Sequence, residues 1–228
     1  MSAGQRVAVV AARNEADRIE ATIAALRDAL GPIAIVVADD ASDDGTGRLA
    51  LAAGAEVISR GRPHGKGGNM TAACEAALSG RAVDTVFLLC DGDLGESAGR
   101  LAPLVAAVEA NECDLAIASF SRKVGGGVGA AKGFARWAIR NASGFEAREP
   151  ISGQRAMRGT TLRGVLPFAP RYGMETGMTI DAVRFGARVA EIDLDLSHRA
   201  TGKTLAGFAH RGRQLRDIAA AYGARRRG

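Results

Sequence analysis

Two short apolar runs, residues 7–12 (VAVVAA) and 33–38 (IAIVVA), have the unbroken hydrophobicity of parallel strands covered on both faces. Between them, apolar side chains fall at Ile19, Ile23, Leu26 and Leu30, the spacing of one helix face over 15–30, and Gly31-Pro32 ends it. The alternation continues with a helix near 45–53, a strand at 56–59, a helix at 69–78, a strand at 85–90, a helix at 99–110 and a strand at 114–119. Strand and helix alternating at this length predict βαβ units, so the first 120 residues read as a doubly wound α/β layer. After Phe120 the pattern weakens into a Gly-rich loop (Gly125–Gly129), a helix at 134–141 and a long irregular stretch. A last helix at 205–222 places Leu205, Phe208, Leu215, Ile218 and Tyr222 on one side.

In an open parallel sheet, ligands bind beyond the carboxyl ends of the strands. Four such ends lead into polar clusters: Arg13-Asn14-Glu15, the run from Asp39 to Gly45 (DDASDDG), Gly65-Lys66-Gly67-Gly68, and Asp91-Gly92-Asp93. Two carboxylates flanking one glycine repel each other unless a cation lies between them, and a hard divalent ion, Mg²⁺ or Mn²⁺, suits such a pair together with substrate phosphates. Lys66, in a glycine-flanked loop, suits a phosphate oxygen as a point charge. The Asp39–Asp44 loop offers acceptors for a nucleobase or ribose, or a helix N-cap. Taken together, these groups describe a site for a nucleoside diphosphate. Other nucleotide motifs fail: GRPHGKGG has the wrong spacing for a P-loop and Gly67 in place of its Ser/Thr, and the lone Gly125-x-Gly127 match is weak.

Composition narrows the class. The chain has 228 residues, 47% of them hydrophobic and 24% charged, which is enough to bury a core in one domain with a C-terminal extension. No apolar run approaches the ~18 residues of a membrane span, and the N-terminus resembles no secretory signal. Cys74, Cys90 and Cys113 have no metal spacing and read as reduced, buried thiols, so the expected location is cytoplasmic. Charge is uneven: residues 197–228 carry eight Lys or Arg against Asp217 alone, whereas the first 196 residues sum to −2. That segment is either a solvated basic helix and tail or a surface facing an anion such as a phosphate group or an acidic membrane. It has no stacking platform, so no nucleic-acid partner is expected.

VAVVAARNEADRI, VVADDASDDGT, GKGGNM and CDGDLGE, followed by ISGQRAMRG, PFAPRYGMETGMTIDA and LSHRATGK, resemble in order and spacing the family 2 glycosyltransferases of the GT-A fold. Within that family, SRKVGGG…PISGQRAM resembles polyprenyl-phosphate sugar transferases of the dolichyl-phosphate mannose synthase type. The later motifs are more like glucosyl-3-phosphoglycerate synthases. The resemblance implies a GT-A mixed sheet flanked by helices, with a donor half (1–120), an acceptor half (121–204) and a basic C-terminal helix and tail (205–228). It further implies donor contacts from Asn14, Glu15, Asp39, Asp40, Lys66 and Asp91, and metal ligation by Asp91, Asp93 and His198. Catalytic roles would fall to Asp93 and Glu175, the latter as base for a hydroxyl acceptor, and acceptor contacts to Arg155, Arg171 and Arg199. Ala12 stands where the family has proline, Ala41 where it has glycine, and Ala200 where the phosphoglycerate enzymes have asparagine. The implied reaction moves a sugar from a UDP- or GDP-linked donor to a phosphorylated acceptor, either a polyprenyl phosphate or a small phosphorylated acid. A peripheral contact at the inner membrane face and a homodimer are compatible with it. A sugar nucleotidyltransferase would carry a Gly-rich, Arg-containing loop where this chain has AARNEADR, and a non-catalytic nucleotide-binding module would leave the acid pair idle.

Overall fold

The computed structural model describes residues 5–120, 129–194 and 205–226. Its strands are β1 (Arg6–Ala12), β2 (Ala34–Asp39), β3 (Glu56–Ser59), β4 (Val86–Asp91), β5 (Leu115–Phe120), β6 (Arg155–Arg158) and β7 (Val189–Leu194). They form one sheet in the order β3-β2-β1-β4-β6-β5-β7, with β6 antiparallel to β4 and β5 and the other pairs parallel. The helices are α1 (Ile19–Leu30), α2 (Thr46–Ala52), α3 (Gly65–Leu78), α4 (Ala102–Glu109), α5 (Gly129–Ser143), α6 (Gly159–Val165), α7 (Met174–Arg184) and α8 (Leu205–Arg225). A 3₁₀ segment, Gly92–Leu101, leads into α4, and a 3₁₀ turn, Arg171–Gly173, leads into α7.

Side chains alternate along each strand, so the sheet has two buried faces. Ala8, Val10, Ile35, Val37, Leu88 and Cys90 meet α1 and α4 through Ile19, Ile23, Leu26, Leu30, Leu104 and Val108. Val7, Val9, Val36, Ala38, Phe87 and Leu89 meet α3 and α7 through Met70, Cys74, Met174 and Met178. The four α1 residues picked out by periodicity are all buried, at about 2 kcal/mol each, and Gly31 at φ +66° stops the helix. All three cysteines are free and buried. No helix among the described residues is long and apolar enough to cross a membrane.

Three expectations need correction. GKGG is the first turn of α3, not a flexible loop: Gly67 lies so close to the chain at Ala169 that a Cβ there would come within 2.0 Å of the Ala169 carbonyl oxygen. The stretch that reads as irregular holds β6, α6, α7 and β7. It escaped notice because β6 is four residues long with arginine at both ends, and because eight of the eleven residues of α7 are buried, leaving no polar stripe to give a period. On α8, Ile218 and Tyr222 are buried as their spacing suggests, but Leu215 is exposed.

Gly67→Ala is expected to lose about 3 kcal/mol of unfolding free energy, because backbone rather than a flexible side chain must yield. Gly68→Ala in the same turn would meet only the side chains of Arg60 and His64, at 3.4 Å or more, and should gain about 0.5–1 kcal/mol from helix propensity. Urea unfolding of both variants checks the contrast.

Candidate active site

Register brings the polar clusters level. Ala11 pairs with Asp91 across β1 and β4, and Ala12 pairs with Asp39 across β1 and β2. Beyond these ends lies a cavity of about 890 Å³, whose wall includes Arg13, Glu15, Asp40, His64, Lys66, Asn69, Asp91, Asp93, Arg171, Tyr172, Arg213, Arg216 and Asp217.

At its centre, Lys66 Nζ lies 2.6 Å from Asp91 Oδ1 and 2.9 Å from Glu175 Oε1. Burial by itself would push the Lys66 pKa down; the two carboxylates more than reverse this and hold the ammonium above its ordinary value. Gln154 Nε2 donates to the other oxygen of Asp91 at 3.0 Å. Gly153 leaves room for this pair: a Cβ there would sit 2.5 Å from Lys66 Nζ and 2.9 Å from Asp91 Oδ2, so both side chains would have to shift. A lysine in the first turn of a helix opposes the helix dipole; Asp40 relieves that by accepting from the backbone N–H groups of His64 and Gly65 at 2.7 and 3.0 Å.

Asp93 and Asp91 share the wall with Glu15, whose carboxyl is pushed up to about 7, first by desolvation and then by the charges of Asp93, Asp17 and Asp91. Hard carboxylate oxygens of this kind suit a divalent cation. Among the described residues, no three His, Cys, Asp or Glu side chains come together as a complete metal site. Thr22 fixes the Asp91-Gly92-Asp93 turn by donating to Gly92 O and accepting from Gly95 N, both at 2.8 Å.

The other expected residues fall in different places. Asp39 shares strand parity with Ile35 and Val37, so it turns to the opposite face of the sheet, where it accepts from Ser42 and abuts Gly47. It does not line the cavity. Asn14, exposed and at φ +57°, ties two loops together: its N–H donates to Ser42 Oγ and its Oδ1 accepts from Asp43 N–H. Arg155 is wholly buried behind α7, donating to Ser152 O and Thr179 Oγ1, so the expected acceptor contact is replaced by a supporting place beneath Glu175. Burial lowers its pKa to about 10. Glu175 is 6% exposed and stands behind Lys66, off the cavity wall. Arg171 does line the cavity. His198 and Arg199 lie outside the described residues.

Residue reading missed His64, Asn69, Gln154, Arg213 and Arg216, and gave Arg13 no role beyond its place in the first polar cluster. The excess charge of the last 32 residues signalled the two α8 arginines without singling them out. Asn69 gave no signal, yet both polar atoms of its buried amide lack a hydrogen-bond partner among the described residues, and it sits on the cavity wall one turn after Lys66.

Residues 7–161 match the family model described as glycosyl transferase family 2. The chain belongs to that family. An undecaprenyl-phosphate mannosyltransferase of Micrococcus luteus is 31% identical over 212 residues, covering 86% of this chain and 85% of that protein. Among solved structures, mannosyl-3-phosphoglycerate synthase from Rubrobacter xylanophilus superposes with a TM-score of 0.76 at 28% identity, over 98% of this chain and 74% of that one. Glucosyl-3-phosphoglycerate synthase from Mycobacterium tuberculosis, in complex with Mn²⁺, UDP and glucosyl-3-phosphoglycerate, superposes at 0.75 and 26% identity, over 98% and 80%. The mixed seven-stranded sheet is thus the GT-A architecture of a family 2 glycosyltransferase, and the cavity at its strand ends is the transferase's candidate active site.

Two outcomes follow from this geometry. Glu15 is a carboxyl whose folded pKa is raised, so its contribution to stability is fully present below about pH 4.5 and is lost as pH rises through about 7. Glu15→Gln should therefore melt higher than the parent at pH 8 in the metal-free protein, and the gap should close by pH 4. Lys66→Met leaves Asp91 and Glu175 without their cation and should cost about 2 kcal/mol, less than a fully buried pair because the lysine side chain is 24% exposed. Adding Glu175→Gln should restore part of that loss in a double-mutant cycle.

Proposed function

We propose that the cavity binds a nucleoside-diphosphate sugar together with a divalent cation and transfers the sugar to a phosphorylated acceptor. The observation that carries this reading is the carboxylate cluster at the strand ends: Asp91 and Asp93 line the cavity together with Glu15, and Lys66 in the first turn of α3 lies 2.6 Å from Asp91. Asp91 and Asp93 would hold the cation, His198 is the candidate further ligand, and Glu15 and Asp40 would line the nucleoside. A cation there supplies electrophilic stabilisation of the departing diphosphate. Lys66 would supply a fixed positive charge to the same leaving group.

The donor is proposed to be a uridine diphosphate sugar, since UDP is the nucleotide named with the Mycobacterium tuberculosis neighbour. The first acceptor reading is a polyprenyl phosphate, as named for the Micrococcus luteus relative. An oxygen of the acceptor phosphate forms the new bond to the anomeric carbon as the bond to the donor's β-phosphate oxygen breaks. The nucleoside diphosphate leaves with the electron pair. No proton need move, because the attacking phosphate is already ionised. That agrees with Glu175 standing behind Lys66 rather than on the cavity wall. The second reading, a small phosphorylated acid whose hydroxyl accepts the sugar, requires Glu175 to reach the cavity as base; the phosphoglycerate synthases among the neighbours favour it. A lipid acceptor would place the enzyme peripherally at the cytoplasmic membrane face.

Melting curves with UDP-, GDP- and dTDP-sugars, each with and without Mn²⁺, test the donor site. A donor at ~100 times its Kd stabilises by about 2.7 kcal/mol, a rise of roughly 5–10 °C for a chain of this size. The expected result is a rise for UDP-sugars that requires the metal and that Asp93→Ala removes while keeping the parent's cooperative unfolding. A full rise without metal, or one retained in Asp93→Ala, would contradict the assignment.

A further inference from the structure

We infer that Arg213 and Arg216 of α8, together with Arg171, hold the phosphate group of the acceptor; this rests on the transferase reading above and names the half of the site it leaves open. The three side chains come from two segments locked together by close packing. Gly173, at the end of the 3₁₀ turn that carries Arg171, approaches α8 so closely that a Cβ would lie 2.8 Å from the Asp217 carbonyl oxygen and from the Ala221 methyl. One turn back from that crossing, α8 presents Arg213 and Arg216, and both line the cavity beside Arg171.

The C-terminal part of α8 is an integral part of the molecule. Ile218 is buried against Ala131 and Ala135 of α5. Tyr222 accepts a hydrogen bond from Asn141 Nδ2 at 2.6 Å and packs on Phe134 and Trp137, with ring centroids 6.3 and 5.1 Å away. Arg225 Nε donates to Asp181 Oδ1 at 2.7 Å. These contacts set where the two arginines stand, while the Arg216 side chain itself is 67% exposed, with its nearest described carboxylate, Asp217, 3.7 Å away. Arg171 sits at φ +51°, a conformation that only glycine adopts without strain, and its side chain lies against Gly65 at the start of α3.

The cavity lining carries both signs: Glu15, Asp40, Asp91, Asp93 and Asp217 with Lys66, and the guanidinium groups of Arg13, Arg171, Arg213 and Arg216. A donor diphosphate is matched by the cation on Asp91 and Asp93 and by Lys66. A phosphomonoester on the acceptor brings further negative charge and needs cations of its own, and guanidinium forks suit its geometry. Arg155, buried behind α7, does not reach it. The same clamp serves a polyprenyl phosphate, where the phosphate attacks, and a phosphorylated acid, where it is the handle.

The experiment is equilibrium binding of two probes, farnesyl phosphate and 3-phosphoglycerate, to the full chain in UDP and Mn²⁺, with farnesol as the phosphate-free control. In Arg213→Gln/Arg216→Gln, affinity for the bound probe should fall about 100-fold, about tenfold for each single change, with farnesol binding and the UDP-dependent melting shift unmoved. Loss confined to farnesyl phosphate assigns the clamp to a lipid acceptor, and loss confined to 3-phosphoglycerate to a soluble one. Arg171→Gly should weaken the same probe while raising the ligand-free melting temperature, because it removes the strained φ. The inference is overturned if the double variant binds both probes as the parent does, if the parent binds neither, or if the UDP shift falls in step with probe affinity, which would place the arginines on the donor. Failure of UDP and Mn²⁺ to stabilise the parent at all counts instead against the transferase reading.

Discussion

The ammonium of Lys66 joins three parts of the chain at one point, on top of the apolar core they share: the first turn of α3, the end of β4 at Asp91 and the start of α7 at Glu175. A lysine there is unfavourable on two counts, desolvation and the positive end of a helix dipole, so it stands only because two carboxylates face it. Its surroundings are built to match. Gly153 leaves room for Nζ, Gly67 lets α3 approach the backbone at Ala169, and Asp40 takes up the free amides of the same turn. Arg155 lies buried beneath, linked through Thr179 to the helix that carries Glu175. The first 120 residues and the later part of the chain are thus coupled through one ion-pair network as well as by apolar packing.

The cavity lining carries charges of both signs. Its carboxylates at the end of β4 and in the first loop, Glu15, Asp91 and Asp93, come early in the sequence. Three of its arginines come late, from the turn at Arg171 and from α8, where Arg216 lies 3.7 Å from Asp217.

Much of the first 120 residues is legible directly. The four-three-four spacing of α1 and the doubly apolar β1 and β2 correspond to buried faces, and the four polar clusters do end four strands or open the helix beside them. The choice between Asp39 and Asp40 was also within reach. Period two puts Asp39 with Ile35 and Val37, and Asp40 with Val36 and Ala38 on the face that carries α3 and the cavity. The later part of the chain is less legible. A helix buried on nearly all sides has no amphipathic stripe, and a four-residue antiparallel strand bounded by arginines does not look like a central strand, although β6 is one.

The sequence by itself determined the alternation of strands and helices, the family and the residue types at the strand ends, because these depend on local periodicity and on short motifs of fixed spacing. Tertiary structure alone decided which charges face one another. Lys66 and Glu175 are more than a hundred residues apart, and Arg155 and Arg216 read alike as basic residues of the later sequence. Folding buries the first beneath α7 and sets the second on the cavity wall. The energy of a charge depends on its burial and its neighbours, and neither is a property of its position along the chain.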